Sequence, residues 1–313
     1  MENNYELKEN NLIQDSKINN SEWKNEKIEG YEIKTYNNGR YEGILKNNKR
    51  EGYGTYYYNN GNRYEGEWKN DKIEGNGNFY FNNGNRYEGN WKNNNKEGYG
   101  RYHYNNKHRY EGEFKNDNYE GYGKYYYNTG DTYEGEWKNN KRDGYGKEYF
   151  NENYYKGQYN NDNKEGYGIL DYYNGDKYKG EFKNNKRQGY GIYYCKNGNK
   201  YEGEYDNNNK VGYGIELLNN GDKYEGEFKN DKREGKGILY YYNGEKYEGE
   251  FKNDKKEGYG ILYYNNGNKY EGEFKADTLD GNGNFYIQNK NYYSKFQNNK
   301  PLKLILINNK KMS

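Results

Sequence analysis

From Tyr41 onward, aromatic or glycine residues alternate with charged ones for about seven residues, the pattern breaks at an Asn-containing turn, alternation resumes, and the whole starts again after 23 residues. In Tyr64-Glu65-Gly66-Glu67-Trp68-Lys69-Asn70, an extended chain puts unit positions 1, 3 and 5 on one face and positions 2, 4 and 6, mostly Glu or Lys, on the other. After Asp71-Lys72-Ile73-Glu74, the second half, Gly75-Asn76-Gly77-Asn78-Phe79-Tyr80-Phe81, puts glycines 12 and 14 on a face with positions 16 and 18. Those positions are mostly Tyr, Phe or Leu, as in Tyr125 with Tyr127 and Leu262 with Tyr264. The unit closes on Asn82-Asn83-Gly84-Asn85-Arg86. Two amphipathic strands and two turns per unit follow.

Eleven copies run from Tyr41 to Asn291. Position 1 is Tyr in all of them, positions 3, 12 and 14 are always Gly, and position 5 is aromatic except at Leu45. Glycine weakens a strand by roughly 0.5–1 kcal/mol, so its recurrence at three fixed slots implies that something lies close against it. Aromatic rings laid across the glycines would supply roughly 2–3 kcal/mol each from buried area. Turns such as Asn60-Gly61-Asn62 and Asn266-Gly267-Asn268 tolerate positive φ, and the only proline, Pro301, lies beyond the last copy. The expected fold is all-β: an elongated, twisted, single antiparallel sheet built from tandem hairpins.

Composition supports a thin sheet over a compact globule. Only 30% of residues are hydrophobic, and 48 of the 313 residues are Tyr, many in strict register, so a large aliphatic core is not available and disorder is not the alternative. Twenty-two strands at about 4.8 Å would span on the order of 100 Å. One cysteine, Cys195, excludes a disulfide framework and suggests a reducing, cytoplasmic setting. The opening residues lack the apolar segment of a signal peptide.

The unit Tyr-Glu-Gly-Glu-Trp-Lys-Asn followed by Gly-Tyr-Gly, as at Tyr133 to Asn139 and Gly144 to Gly146, resembles the MORN repeat (membrane occupation and recognition nexus) over about four-fifths of the chain. The resemblance implies a hairpin per repeat, stacked into an elongated sheet with a groove. It implies also a non-enzymatic scaffold of the kind found in protist cytoskeletal structures, associated with the cytoskeleton or the inner face of a membrane. The alternative it leaves open is a membrane-recruitment module binding anionic phospholipid headgroups. Some members carry the array beside a lipid kinase, a methyltransferase or a membrane anchor, and no such companion is recognisable in these residues.

Candidate chemistry is sparse. There is no phosphate-binding loop, and the recurrent Gly-x-Gly precedes a strand, the wrong context for a dinucleotide, so no cofactor is expected. His103 and His108, five residues apart with no cysteine nearby, read as surface substitutions and not as metal ligands. Cys195 falls at position 18 and reads as a packed thiol; the paired carboxylates Glu65 and Glu67 recur too often to be catalytic and read as a solvated face. With 51 Lys and Arg against 49 Asp and Glu, global charge does not favour nucleic acid.

Two local basic islands stand out. Lys179, Lys183, Lys186, Arg187, Lys196 and Lys200 face Glu181 alone in one repeat, and Lys303, Lys310 and Lys311 lie in an acid-free tail. They are the candidate contacts for an anionic ligand, against the plainer reading of drift between repeats; within the first island, Lys179 and Lys183 are expected to share the polar face while Lys186 with Arg187, and Lys196 with Lys200, lie towards opposite sheet margins, which dilutes a single patch.

The chain divides into a polar tail (1–18), a degenerate capping repeat (19–40), the array (41–291) and a partial repeat with a terminal strand and basic tail (292–313). The fifth repeat has 22 residues, which suggests a joint at 151–155 through altered register or twist. The aliphatic run Leu302, Leu304, Ile305, Leu306 and Ile307 either caps the sheet or pairs with a second chain as a homodimer. Partners are expected to be other proteins.

Overall fold

In the computed structural model, residues 30–288 and 290–307 are described. They form a single antiparallel sheet of 26 strands in which each strand as far as Lys290–Gln297 pairs with its predecessor along the chain, as Lys72–Tyr80 does with Arg63–Lys69 and Arg86–Lys92 with Lys72–Tyr80. The succession does not close into a barrel. At about 4.8 Å per strand the sheet extends for roughly 120 Å.

The two ladders of each unit differ. Between a second strand and the next first strand the register is regular, with Gly77 opposite Gly89 and Phe79 opposite Tyr87. Within a hairpin, Gly66 faces Gly77 but Trp68 faces Ile73, so one residue on the first strand spans three on the second. This bulge recurs through the array and increases local twist.

The bulge separates the three invariant glycines by role. At positions 3 and 14 the Tyr of position 1 lies flat on the pair: a Cβ on Gly66 or Gly77 would strike the Tyr64 ring or hydroxyl. The hydroxyl donates to the carbonyl of position 4, as Tyr64 does to Glu67 at 3.1 Å. Position 12 departs from the expectation that rings cover all three glycines. Gly75 takes φ +68°, and the carboxylate of Glu67 lies against it from the opposite face while accepting the Asn76 N–H at 2.9 Å. Position-4 carboxylates are therefore engaged with the backbone of the bulge, more than a freely solvated face would be.

The first turn is also shorter than the sequence suggests. Asn70 and Asp71, at φ 48° and 67°, form a two-residue hairpin turn, and the second strand begins at Lys72. Asn and Asp tolerate this left-handed region, which explains their recurrence there. The second turn keeps its five residues, closed by Gly84 N–H to Phe81 O and Phe81 N–H to Asn85 O, both at 3.0 Å.

Between repeats, the position-8 side chain accepts the position-10 N–H of the preceding unit, as Asp71 does from Arg50 at 2.9 Å. A glutamate at position 11 accepts the following turn's N–H, as Glu51 does from Asn70 at 2.9 Å. The rings interlock as well. Each position-1 Tyr meets the position-5 side chain of the next unit edge-to-face, and from Trp68 onward that of its own unit too, giving an unbroken aromatic spine from Tyr41 to Phe296.

At the shortened fifth repeat, Phe150 pairs with Asn153 around the turn Asn151-Glu152, and Gly146 still faces Gly157. The missing residue is absorbed by the turn, and the register does not shift as the spacing had suggested. At the far end, Lys300–Pro301 and Ile305–Ile307 both pair with the outer edge of Lys290–Gln297, so the aliphatic run contributes a terminal strand. Lys310 and Lys311 lie outside the described residues, as do residues 1–29 with the tail and the start of the degenerate repeat.

Candidate interaction groove

One face of the sheet carries large side chains at both margins and flat rings between them. The floor is the position-1 Tyr series, essentially inaccessible from Tyr41 to Tyr270. Along the five-residue-loop margin stand half-buried position-16 and position-18 side chains such as Tyr102, Tyr104, Tyr125 and Tyr127. Along the two-residue-turn margin runs position 10, a column of cations: Arg50, Lys96, Arg142, Lys164, Arg187, Lys210, Arg233 and Lys256. Between the margins lies a groove, with a cavity of about 460 Å³ bounded by Lys96, Tyr104, Phe114, Tyr127, Trp137 and Arg142.

The cations lie over rings. Arg50 is 4.1 Å from the Trp68 ring centre, and Lys164 is 4.1 Å from that of Phe150. Contacts of this kind contribute about 0.5–2 kcal/mol. They also fix each cation's charged end along the groove.

Two carboxylates interrupt the aromatic wall at position 16. Glu148 is 7% exposed and bonds to Arg142 Nη1, to Lys164 Nζ at 2.6 Å and to the Tyr159 hydroxyl at 2.9 Å. Glu216 sits between Lys210 Nζ at 2.7 Å and Arg233 Nη2 at 2.8 Å. Burial alone would push both carboxyls up; Lys164 and Arg142 at Glu148, and Lys210 and Arg233 at Glu216, outweigh it and hold both below their usual range. Neither glutamate was singled out in the sequence. The available signal was a charged residue at a slot otherwise aromatic or Leu.

The first basic island is dispersed. Lys179 lies on the opposite face over Tyr194, as does Lys200, which pairs with Glu202 at 2.6 Å. Lys183 and Lys186 flank the two-residue turn, where Lys186 bonds Asn207 at 3.1 Å, and Lys196 belongs to the other margin beside Gly175. Arg187 alone of the six lines the groove, between Tyr178, Tyr193 and Tyr205. Lys303 adjoins the terminal strand on the far side of the molecule, exposed like Leu302, Leu304, Ile305, Leu306 and Ile307 around it.

The two histidines diverge. His103 meets Arg86 and Glu88 on the face opposite the groove, whereas His108 is half-buried among Tyr104, Tyr125 and Tyr127, with Nδ1 3.0 Å from the Tyr125 hydroxyl. His108 is thus part of the groove wall and more than a surface substitution. Burial pushes the Cys195 thiol up, which keeps it protonated. Among the described residues no group of three or more His, Cys, Asp or Glu could hold a metal ion, and no helix is long and apolar enough to cross a membrane.

A family model described as the MORN repeat matches residues 41–63, 64–86, 87–109, 110–132, 133–153, 155–177, 178–200, 201–223, 224–246, 247–269 and 270–292. No curated protein matches the chain. Among solved structures it is similar to the wild-type TCP10 domain of Danio rerio CPAP, in complex with a peptide of Danio rerio STIL, at 12% identity and a TM-score of 0.40, covering 72% of this chain and 94% of that one. It is similar also to the SAS-4 (dCPAP) TCP domain of Drosophila melanogaster, in complex with a proline-rich motif of Ana2 (dSTIL), at 19% identity and a TM-score of 0.32, covering 50% and 85%.

Proposed function

The chain belongs to the MORN-repeat family, and from that premise we propose that it is a non-enzymatic interaction scaffold that holds partner proteins along its groove. The carrying observation is the groove itself: one face keeps the same Tyr floor over eleven repeats, with a largely aromatic wall on one margin and a cation at position 10 in eight of them on the other. Such a surface suits an extended polypeptide segment, since aromatic walls supply area while charges and hydroxyls fix register. A cytoskeletal or membrane-cortex setting is the wider form of this reading.

Photo-crosslinking tests it. A benzophenone side chain at Tyr104 or Tyr127 should trap protein adducts, and one at the exposed Tyr145 of the opposite face should not. Adducts from Tyr145 alone would move the function to the other face. Anionic vesicles pelleting the protein, with no dependence on groove residues, would favour headgroup binding instead.

Self-association belongs to the same proposal. Among the described residues no strand pairs with the outer edge of Lys300–Pro301 and Ile305–Ile307, and Leu302, Leu304, Ile305, Leu306 and Ile307 are each between 40% and 63% exposed. An unpaired edge bearing aliphatic side chains templates pairing with a second chain.

A further inference from the structure

The repeats supply their own template for a ligand site. In the fifth and sixth units, the Glu148 carboxylate is gripped by Arg142 Nη1, the Tyr159 hydroxyl and Lys164 Nζ. Two units along, the corresponding slots hold Arg187, Tyr205 and Lys210, and Tyr193 stands where Glu148 would be. Arg187 is placed as Arg142 is. Its guanidinium is 5.7 Å from the Tyr178 ring and 5.0 Å from Tyr205, against 5.5 Å from Tyr133 and 5.0 Å from Tyr159 for Arg142. Nη2 donates to the Asn208 carbonyl at 2.7 Å, as that of Arg142 does to Asp162 at 2.8 Å.

What is missing is the acceptor. Tyr193 turns its hydroxyl to Asp176 at 2.9 Å. The Tyr205 hydroxyl is buried with no partner, and among the described residues no carboxylate lies within ion-pair distance of Arg187. The template's two cations and two carboxylates cancel. Here the carboxylates belong to Lys210, Glu216 lying 2.7 Å from its Nζ and Asp231 accepting its backbone N–H at 2.8 Å, while Arg187 faces Tyr193 and Asn208 with no acid of its own.

We infer that Arg187 and Tyr205, with Lys210 alongside, form a receptor for one carboxylate of an acidic segment of a partner protein lying in the groove. This rests on the groove being the binding face. Arg187 Nη1 and the Tyr205 hydroxyl would donate to the incoming carboxylate as their counterparts do to Glu148, and charge-assisted bonds of this kind are the strong ones.

Fluorescence anisotropy of a labelled hexaglutamate peptide, with hexaglutamine as control, tests the site on the full chain. Binding of hexaglutamate alone is expected, weakened at least tenfold by Arg187→Gln. Tyr193→Glu should fill the site as Glu148 fills its own and abolish binding. Should that variant misfold, Asn208→Asp places beside Arg187 the residue that Arg142 has in Asp162, and should weaken binding severalfold. Unchanged affinity in Arg187→Gln and in either acid-introducing variant would overturn the site, as would no binding by the wild type. Inorganic phosphate displacing the peptide at equal concentration would overturn its assignment to a carboxylate. If Arg187→Gln and an acid-introducing variant are both silent while groove crosslinks persist, the site fails and the scaffold reading stands.

Discussion

At Gly123 the added methyl of alanine would meet the Tyr110 ring and hydroxyl, and neither the ring, fixed in the aromatic spine, nor the paired strand can move away. Gly123→Ala should therefore cost about 3 kcal/mol in denaturant unfolding, from overpacking against a rigid neighbour. Gly130→Ala, in a loop with open space around it, should cost about 1 kcal/mol, from its φ of +96° alone. Tyr110→Phe should recover part of the first loss and none of the second. The buried carboxylates make a different residue-scale prediction. Glu148→Gln leaves Lys164 without its counter-charge and Arg142 with Asp162 alone, and should destabilise by about 2–3 kcal/mol, below the range for fully buried pairs because both cations still reach water. Because the folded-state pKa values of Glu148 and Glu216 are depressed, their contribution is complete above the unfolded carboxylate value of about 4.3 and is lost as pH falls through the folded values. Urea midpoints should thus fall more steeply below about pH 4 in the wild type than in Glu148→Gln.

Among the elements, the turn Asn151-Glu152 is the exception worth testing. It places a glutamate at φ +64°, where the equivalent turns use Asn or Asp except at Ala276 and Gln288. Glu152→Asn should raise stability by about 0.5–1 kcal/mol, since Asn visits the left-handed region more readily. The joint at 151–155 remains a proposal. Register is continuous there, so any looseness must come from turn strain, and amide exchange at 151–155 should exceed that of the matched loop at 265–269. Equal protection would remove the joint.

For the whole molecule, an open sheet of 26 strands held by neighbour contacts should give a radius of gyration well above the roughly 20 Å of a compact chain of this length. Small-angle scattering decides it. Removing residues 301–313 should abolish a homodimer while the array stays folded, as sedimentation would show. A chain that is monomeric before the deletion and only less stable after it would leave the terminal strand as a cap.

The sequence by itself determined the periodicity, the two strands per unit, the five-residue loops and the assignment of positions 1, 3 and 5 to one face, because alternation in an extended chain leaves no other placement. It did not determine which glycines carry rings. The bulge, a product of pairing between strands, turns Gly75 and its counterparts to φ above zero and gives them to the position-4 side chain, a glutamate in most repeats. Nor could it separate Arg187 from the five lysines counted with it: charge adds along a sequence, whereas a site needs side chains from neighbouring strands to converge, and pairing sends Lys179 and Lys200 to one face and Arg187 to the other. The ion clusters of Glu148 and Glu216 were likewise decided in three dimensions. Each draws one cation from the next repeat, a partner that only stacking of the units brings within reach.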